Sequence, residues 1–464
     1  MSRLLKDRER TREMKKLSIV FLSLALMFSL CACEELEALR QVELPPLPEV
    51  TEEPEATPDV QSPAPEETAA PEETTVPEET AAPEETAASE ETPLANRVIV
   101  NIASTLREGY DPAEGTELIL SFSYETPHVD IEGRGQAAEK INAYLALLDE
   151  TFYTGNDHGV GGGAMGYNLM LELAEDNYGY VMGTGAEDMP LLFTVSRGVS
   201  VRRGDAQVLS LVYDENSYTG GAHGSYGLRG YVFDTETGEH LSLETLTEDY
   251  EGFSAFLVEY MIGLTESDPE TYAGIDTVSE EGYAEAFRAL LRDGSWYLDG
   301  EGMVLFSDLY EISSYAAGMI EFPVPYSQLE GKILDKYLPL ARQGSGEIRL
   351  LPLEQVEDGT LGIIDRVATT AEGGEELCLT VEGTVYDLRI AKGDYTDSFY
   401  ETDQLWYASF LNDCAVQLSA AVPEGMPELG IQYRTADGEG HTLFLSQNED
   451  GVPSLVDDSI EAVG

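Results

Sequence analysis

The stretch "YTGGAHGSYGLRGYVFDTETGEHLSL", residues 218–243, admits two readings, and the choice between them sets the fold. Two glycines, a histidine and a serine lie within a few residues, the texture of a catalytic loop. "HGSYG" falls one residue short of the G-x-S-x-G nucleophile elbow, because His223 stands where the first glycine belongs. That elbow turns from a strand into a helix. Here the small residues run instead into "GYVFD", a short strand closed by the turn-forming "DTETG". Residues 218–226 therefore read as the tip of a hairpin. Gly220 and Gly221 supply positive φ or a close backbone approach there. His223 reads as a structural hydrogen-bonding residue. Tyr218, Gly220, Gly221, His223 and Tyr226 together form a candidate binding or structural loop at the edge of a sheet.

The same texture extends in both directions. Upstream, 193–201 places Phe193, Val195, Val199 and Val201 on one face, and 208–213 follows after the turn "RRGDA". Further upstream, 96–103 and 117–124 read as strands. Residues 136–152 carry Ile141, Tyr144, Leu145, Leu148 and Phe152 at helical spacing. Downstream, Phe253, Phe256, Leu257, Tyr260, Met261 and Leu264 predict one helix, and Tyr283, Phe287, Leu290 and Leu291 a second. Strands near "MVLF" and "IEFPVPY" follow, then a last helix over 326–338 stopped by Pro339. Strands and helices do not alternate strictly. The expected class is therefore α+β, with a mainly antiparallel sheet and several packed helices over 96–342. Residues 346–464 consist of short strand-like runs between Gly/Asp-rich turns, expected to form a smaller, mostly β domain.

Before residue 96 nothing reads as a core. Basic residues lead into the apolar run 17–30 and then "CAC". At fourteen residues the run is shorter than the roughly 17–25 that a membrane-spanning helix takes, so 1–33 reads as an export signal. "LCAC" resembles a bacterial lipobox, with Cys33 as the lipidated residue. Met14 begins a better-proportioned signal than Met1 does. In residues 34–95 "PEET" recurs at Pro65, Pro71, Pro77 and Pro83. Proline and mutually repelling glutamates leave nothing to bury, which predicts a disordered, extended stalk. The expected location is the extracytoplasmic face of a cell membrane, lipid-anchored.

The 464-residue chain has 88 Asp+Glu against 26 Lys+Arg, a formal charge of −62. Such a polyanion repels nucleic-acid phosphates and anionic lipid heads and attracts basic proteins. Among the remaining motifs, G-x-G-x-x-G at Gly161, Gly163 and Gly166 follows a loop, not the strand that a dinucleotide fold needs. No two of the five histidines sit three to five residues apart, as a zinc site commonly has them, and no EF-hand loop is present. No metal or cofactor is expected. Cys378 and Cys414 have no metal or redox spacing; they read as a possible disulfide or as two buried thiols.

Tyr218, Gly220, Gly221, Ala222 and His223, followed by Asp234, Thr237, Gly238, Leu241 and Leu243, resemble the extracellular domain of lysozyme-sensing anti-sigma factors of the RsiV type and of PdaC-type peptidoglycan deacetylases. "SYETPHV…AAEKINAYL" upstream and 309–329 downstream resemble the companion segments, so the likeness spans about 96–340. The resemblance implies an α+β fold and a binding role toward lysozyme. The chain departs from it in showing no cytoplasmic anti-sigma segment, no spanning helix and no deacetylase domain. The functional expectation is a non-catalytic surface binding module for lysozyme, another basic protein or a cell-wall component. The alternatives are a structural envelope protein and a peptidoglycan-acting enzyme that uses carboxylates.

Overall fold

The computed structural model describes residues 96–457, apart from 157, 161–164, 186–190, 276–279, 358, 360, 370–373, 396–398 and 424–426. The expected signal, the stalk, Cys33, Gly161 and Gly163 lie outside the described residues. No helix among those described is long and apolar enough to cross a membrane.

The architecture is α+β. In chain order come β1 (Val98–Tyr110), β2 (Leu118–Ile131), α1 (Gly135–Thr154), α2 (Tyr167–Thr184), β3 (Phe193–Gly204), β4 (Val208–Tyr218) and β5 (Ser225–Asp234). Then follow α3 (Tyr250–Ser267), α4 (Glu280–Ala289), β6 (Trp296–Leu298), β7 (Gly302–Phe306) and β8 (Glu321–Pro325). The chain continues with β9 (Gly346–Pro352), β10 (Ile363–Ala368), β11 (Glu375–Tyr395), β12 (Phe399–Ala420), β13 (Leu429–Arg434), β14 (Gly440–Gln447) and β15 (Pro453–Asp457).

Among the described residues one 12-stranded sheet runs β15-β14-β13-β11-β12-β1-β2-β3-β4-β5, with β9 added to β11 and β10 to β12. Most pairs are antiparallel; β2–β3 and β10–β12 are parallel. The parallel β2–β3 pair needs a long crossover, and α1 with α2 supplies it. A second sheet, β6-β7-β8, is separate. The strands after 346 do not form a sheet of their own. β1 pairs with β12 through Ile99↔Ala408, Val100↔Tyr407 and Asn101↔Trp406, so both expected regions share one sheet.

Alternation in β4 and β5 feeds two cores. Leu209, Leu211, Tyr213, Tyr231 and Phe233 pack with Ile141, Leu145 and Leu148 of α1. Val208 and Val232 face the other way, onto α3, α4 and the small sheet, where Phe253, Leu257, Phe287, Trp296 and Phe322 gather. The small sheet docks on β5 at Gly230, whose N–H donates to the Gly294 carbonyl at 3.0 Å. A Cβ at Gly230 would stand 1.9 Å from the Trp296 carbonyl oxygen. On β3 the buried face reads Phe193, Val195, Arg197, Val199, Val201, with an arginine in its middle. Arg197 is 3% exposed. Its guanidinium pairs with Asp149, donates to the Leu148 carbonyl at 3.2 Å, and lies 4.5 Å from the Phe152 ring centroid.

Two expectations change, and one helix is added to them. The helix expected over 326–338 is one turn, Tyr326–Leu329, because Glu330 turns out of it at ψ 128° and Gly331 follows at φ 69°; a 3-10 turn returns at Asp335–Tyr337. α2 carries no clear period in the sequence: only Met170, Ala174 and Val181 are buried, while Leu169, Leu173, Tyr180 and Met182 are exposed and blur it. The strands after 346 are not all short. β11 has 21 residues and β12 has 22, bent by register shifts at 381/384, 390/391 and 392/393.

Cys378 and Cys414 are free and buried. Cys414 faces Val381 across the ladder, in the core with Leu379, whereas Cys378 points to the opposite face, against Val356 and Ala415. Side chains on opposite faces of a sheet cannot bridge. Alkylation without reductant should therefore modify both thiols in denaturant and neither at a comparable rate in the native protein, since burial raises both thiol pKa values. Peptide mass spectrometry reads the result; a linked Cys378–Cys414 peptide would refute it.

Candidate functional site

The "DTETG" turn is a structural clamp. Asp234 Oδ1 accepts the N–H groups of Glu236 and Thr237, both at 2.9 Å, while Oδ2 accepts from Lys336 Nζ at 2.8 Å. Gly238 takes φ 74°, and a Cβ there would meet the Ala137 carbonyl at 2.5 Å. Leu241 and Leu243 then drop into the core. Burial pushes the Asp234 carboxyl up, but the Lys336 hydrogen bond and the backbone N–H groups carry it below the usual range. These residues fix β5, and β5 aims the hairpin.

At the hairpin tip Gly220 and Gly221 have φ 91° and 98°. The tip meets the segment that follows β7. The His223 ring stacks on Tyr315, with centroids 3.8 Å apart and planes at 24°. Its Nδ1 lies 2.9 Å from the Gly224 carbonyl and its Nε2 3.5 Å from the Tyr310 hydroxyl. Tyr310 and Tyr226 lie 5.6 and 6.2 Å from Tyr315, centroid to centroid. The Tyr315 hydroxyl donates to the Gly224 carbonyl at 3.1 Å, and the Tyr218 hydroxyl to the Gly221 carbonyl at 3.1 Å. The site thus unites His223 and Tyr226 with Tyr310 and Tyr315. The latter two lie about 90 residues downstream and were not singled out from the sequence. A tyrosine-rich loop, "LYEISSY", was the available signal.

Tyr310 is 63% exposed and has φ 63°. A bulky residue with left-handed backbone in full view of solvent is held there by its surroundings. An ion network supplies the hold. Asp308 receives Arg229 at 2.7 Å and Arg292 at 3.2 Å; Arg292 also grips Glu311 at 2.5 and 3.0 Å. Glu311 in turn accepts the Asp308 N–H at 2.8 Å.

Behind this network lies a cleft of about 560 Å³, lined by Tyr144, Tyr231, His240, Arg229, Arg292 and Asp293 among others. His240 stacks on Tyr144 with centroids 4.9 Å apart. Burial lowers the His240 pKa and raises that of Tyr144 to about 12, so both are neutral at pH 7. His223, for its part, contacts carbonyl and tyrosine groups and, among the described residues, no acid that would orient it as a general base. The arrangement is an exposed aromatic face on a rigid charged footing, suited to cation–π and stacking contacts with another surface.

Residues 264–327 match a family described as "Protein of unknown function (DUF3298)". The matched segment supplies Arg292, Asp308, Tyr310, Glu311 and Tyr315, while the hairpin carrying His223 precedes it. A crystal structure of a DUF3298 family member from Bacteroides fragilis is 17% identical, with TM-score 0.39, covering 51% of this chain and 94% of that one. A DUF3298 family protein from Pseudomonas aeruginosa PAO1 is 16% identical, with TM-score 0.33, covering 52% and 97%. No curated protein matches.

Proposed function

We propose, for a chain whose DUF3298 segment carries half of an exposed aromatic face, that this face binds a protein or cell-wall ligand without chemical turnover. The observation that carries the reading is the His223–Tyr315–Tyr310–Tyr226 cluster, with His223 and Tyr310 exposed and Tyr226 and Tyr315 half-buried, on the Arg229–Asp308–Arg292 network. Rigid tyrosines lose little entropy on binding and are favoured as interface anchors. A basic protein such as lysozyme suits the site twice over. The −62 charge steers a cationic partner inward, and tyrosine rings receive its Lys and Arg side chains. The hairpin of the cluster is the segment whose sequence resembles the lysozyme-sensing domain. In this reading 1–33 is a lipoprotein signal, Cys33 carries lipid, and 34–95 is a stalk that holds the folded part away from the membrane.

The test is a titration of the full chain with lysozyme at about 0.05 and 0.5 M salt, bracketing weak and strong screening. The expected result is 1:1 binding that survives the higher salt. Replacing Tyr310 and Tyr315 together by alanine should weaken it about 30-fold, or ~2 kcal/mol, with the circular dichroism spectrum unchanged. Binding that vanishes at high salt, or ignores both tyrosines, would reduce the interaction to a polyanion meeting a basic protein. No binding at either salt removes lysozyme and leaves wall fragments to be titrated against the same variants.

A further inference from the structure

Away from the aromatic face, the shared sheet creates a second concavity. Its walls come from the β3–β4 turn, the 339–343 connection and strands β11, β12 and β13, and it encloses about 370 Å³. Five arginines line it (Arg202, Arg203, Arg342, Arg389 and Arg434), against two aspartates, Asp205 and Asp387. The chain as a whole has 88 acidic residues to 26 basic ones, so this cleft inverts the balance of the molecule.

Both aspartates are already engaged. Asp205 accepts Arg203 Nε at 2.6 Å, and the N–H groups of Gln207 and Val208 at 2.9 and 2.8 Å. Asp387 pairs with Arg342 and lies 3.0 Å from the Tyr407 hydroxyl. Among the described residues, Arg202, Arg389 and Arg434 have no carboxylate within 4 Å, although Arg202 attracts the Asp214 carboxylate and lies 5.6 Å from the Tyr297 ring centroid. Two donors are buried without a partner: Arg389 Nε, and Nη2 of Arg203, a side chain only 4% exposed. Both atoms are closed off from solvent, so the case for a ligand rests on the lining: several guanidiniums around one concavity make its potential positive, which favours an anion there. Beside the arginines stand Leu340, 61% exposed, and Phe410.

We propose that this cleft is a binding site for an oxyanion, a carboxylate or a phosphate, carried on a compact and partly apolar molecule. Guanidinium groups match both anions through paired N–H donors. The overall −62 charge repels anions at long range, so affinity must come from contacts inside the cleft. The site is independent of the aromatic face.

The experiment uses the full chain, purified free of phosphate and carboxylate buffers, and calorimetric titration with three probes. They are inorganic phosphate, N-acetyl-alanyl-alanine, and the same dipeptide as its C-terminal amide. Binding of the acid but not the amide supports the proposal and names a carboxylate; binding of phosphate supports it and names a phosphate. Arg389→Met and Arg434→Met should each weaken the binding probe about tenfold to a hundredfold, the loss of one hydrogen bond to a charged group. Both variants should melt no lower than the parent without probe, which a merely structural role for these arginines would not give. Equal binding of the amide, binding untouched by either variant, or no binding of any probe up to about 20 mM would overturn the proposal.

Discussion

Arg197→Met will lower the unfolding free energy by about 3–5 kcal/mol, the usual cost of stranding one member of a buried ion pair. The arginine stands on the apolar face of β3, 3% exposed, with its charge balanced by Asp149 of α1 and its plane against Phe152. Methionine fills much of the space but leaves the carboxylate in a dry site. Burial already pushes the Asp149 carboxyl up, against the pull of Arg197; without the arginine only the Thr126 hydrogen bond is left to oppose that push. The sign of the pH effect follows. A carboxyl whose folded pKa is raised costs nothing below its unfolded pKa, near 3.9, where both states hold the proton. The penalty grows as pH rises from that value towards the folded one, and levels off above it. The deficit of the variant against the parent should therefore be smaller near pH 4 than at pH 7. Arg197→Met/Asp149→Leu should recover most of the loss, since an apolar pair of similar volume replaces the ionic one. Urea unfolding of the three proteins at both pH values decides it. A double variant no better than the single one would assign the loss to packing alone.

Gly230→Ala is the second large effect, also about 3–5 kcal/mol, and it arises from backbone. The added methyl would sit 1.9 Å from the Trp296 carbonyl oxygen and 2.7 Å from its carbon, neither of which can rotate away. Relief requires β5 and β6 to separate, which breaks the Gly230–Gly294 hydrogen bond and uncovers Val232 and Trp296. Limited proteolysis should then cut within 290–325 sooner than in the parent. Gly263→Ala in α3 is the control. Nothing lies within 4 Å of its Cβ position, so this change should stabilise by about 0.5–1 kcal/mol. If both substitutions cost the same, the steric account fails.

These two residues also show what the sequence conceals. The α+β class was legible because Phe193, Val195, Val199 and Val201 alternate and Ile141, Leu145, Leu148 and Phe152 recur at helical spacing; both patterns are local. Arg197 sits inside the first pattern and looks like an interruption, since its partner Asp149 lies 48 residues away. The hairpin tip was legible through Gly220, Gly221 and the "DTETG" turn. Its opposite half was not: Tyr310 and Tyr315 reach His223 only because the small sheet docks on β5. Likewise the arginine cleft gathers Arg203, Arg342, Arg389 and Arg434 from four separate stretches. No spacing rule joins residues that only the folded sheet brings together.

The pairing of β1 with β12 has a kinetic side. Ile99 and Ala408 are neighbours across the ladder although some 300 residues of chain separate them. Contacts of such long sequence separation form late, after shorter loops have closed, and they slow folding. Until residues 406–408 are made, β1 has a neighbour in β2 and a bare edge on its other side, open to any passing strand. The order of synthesis thus leaves the first described strand waiting for one of the last.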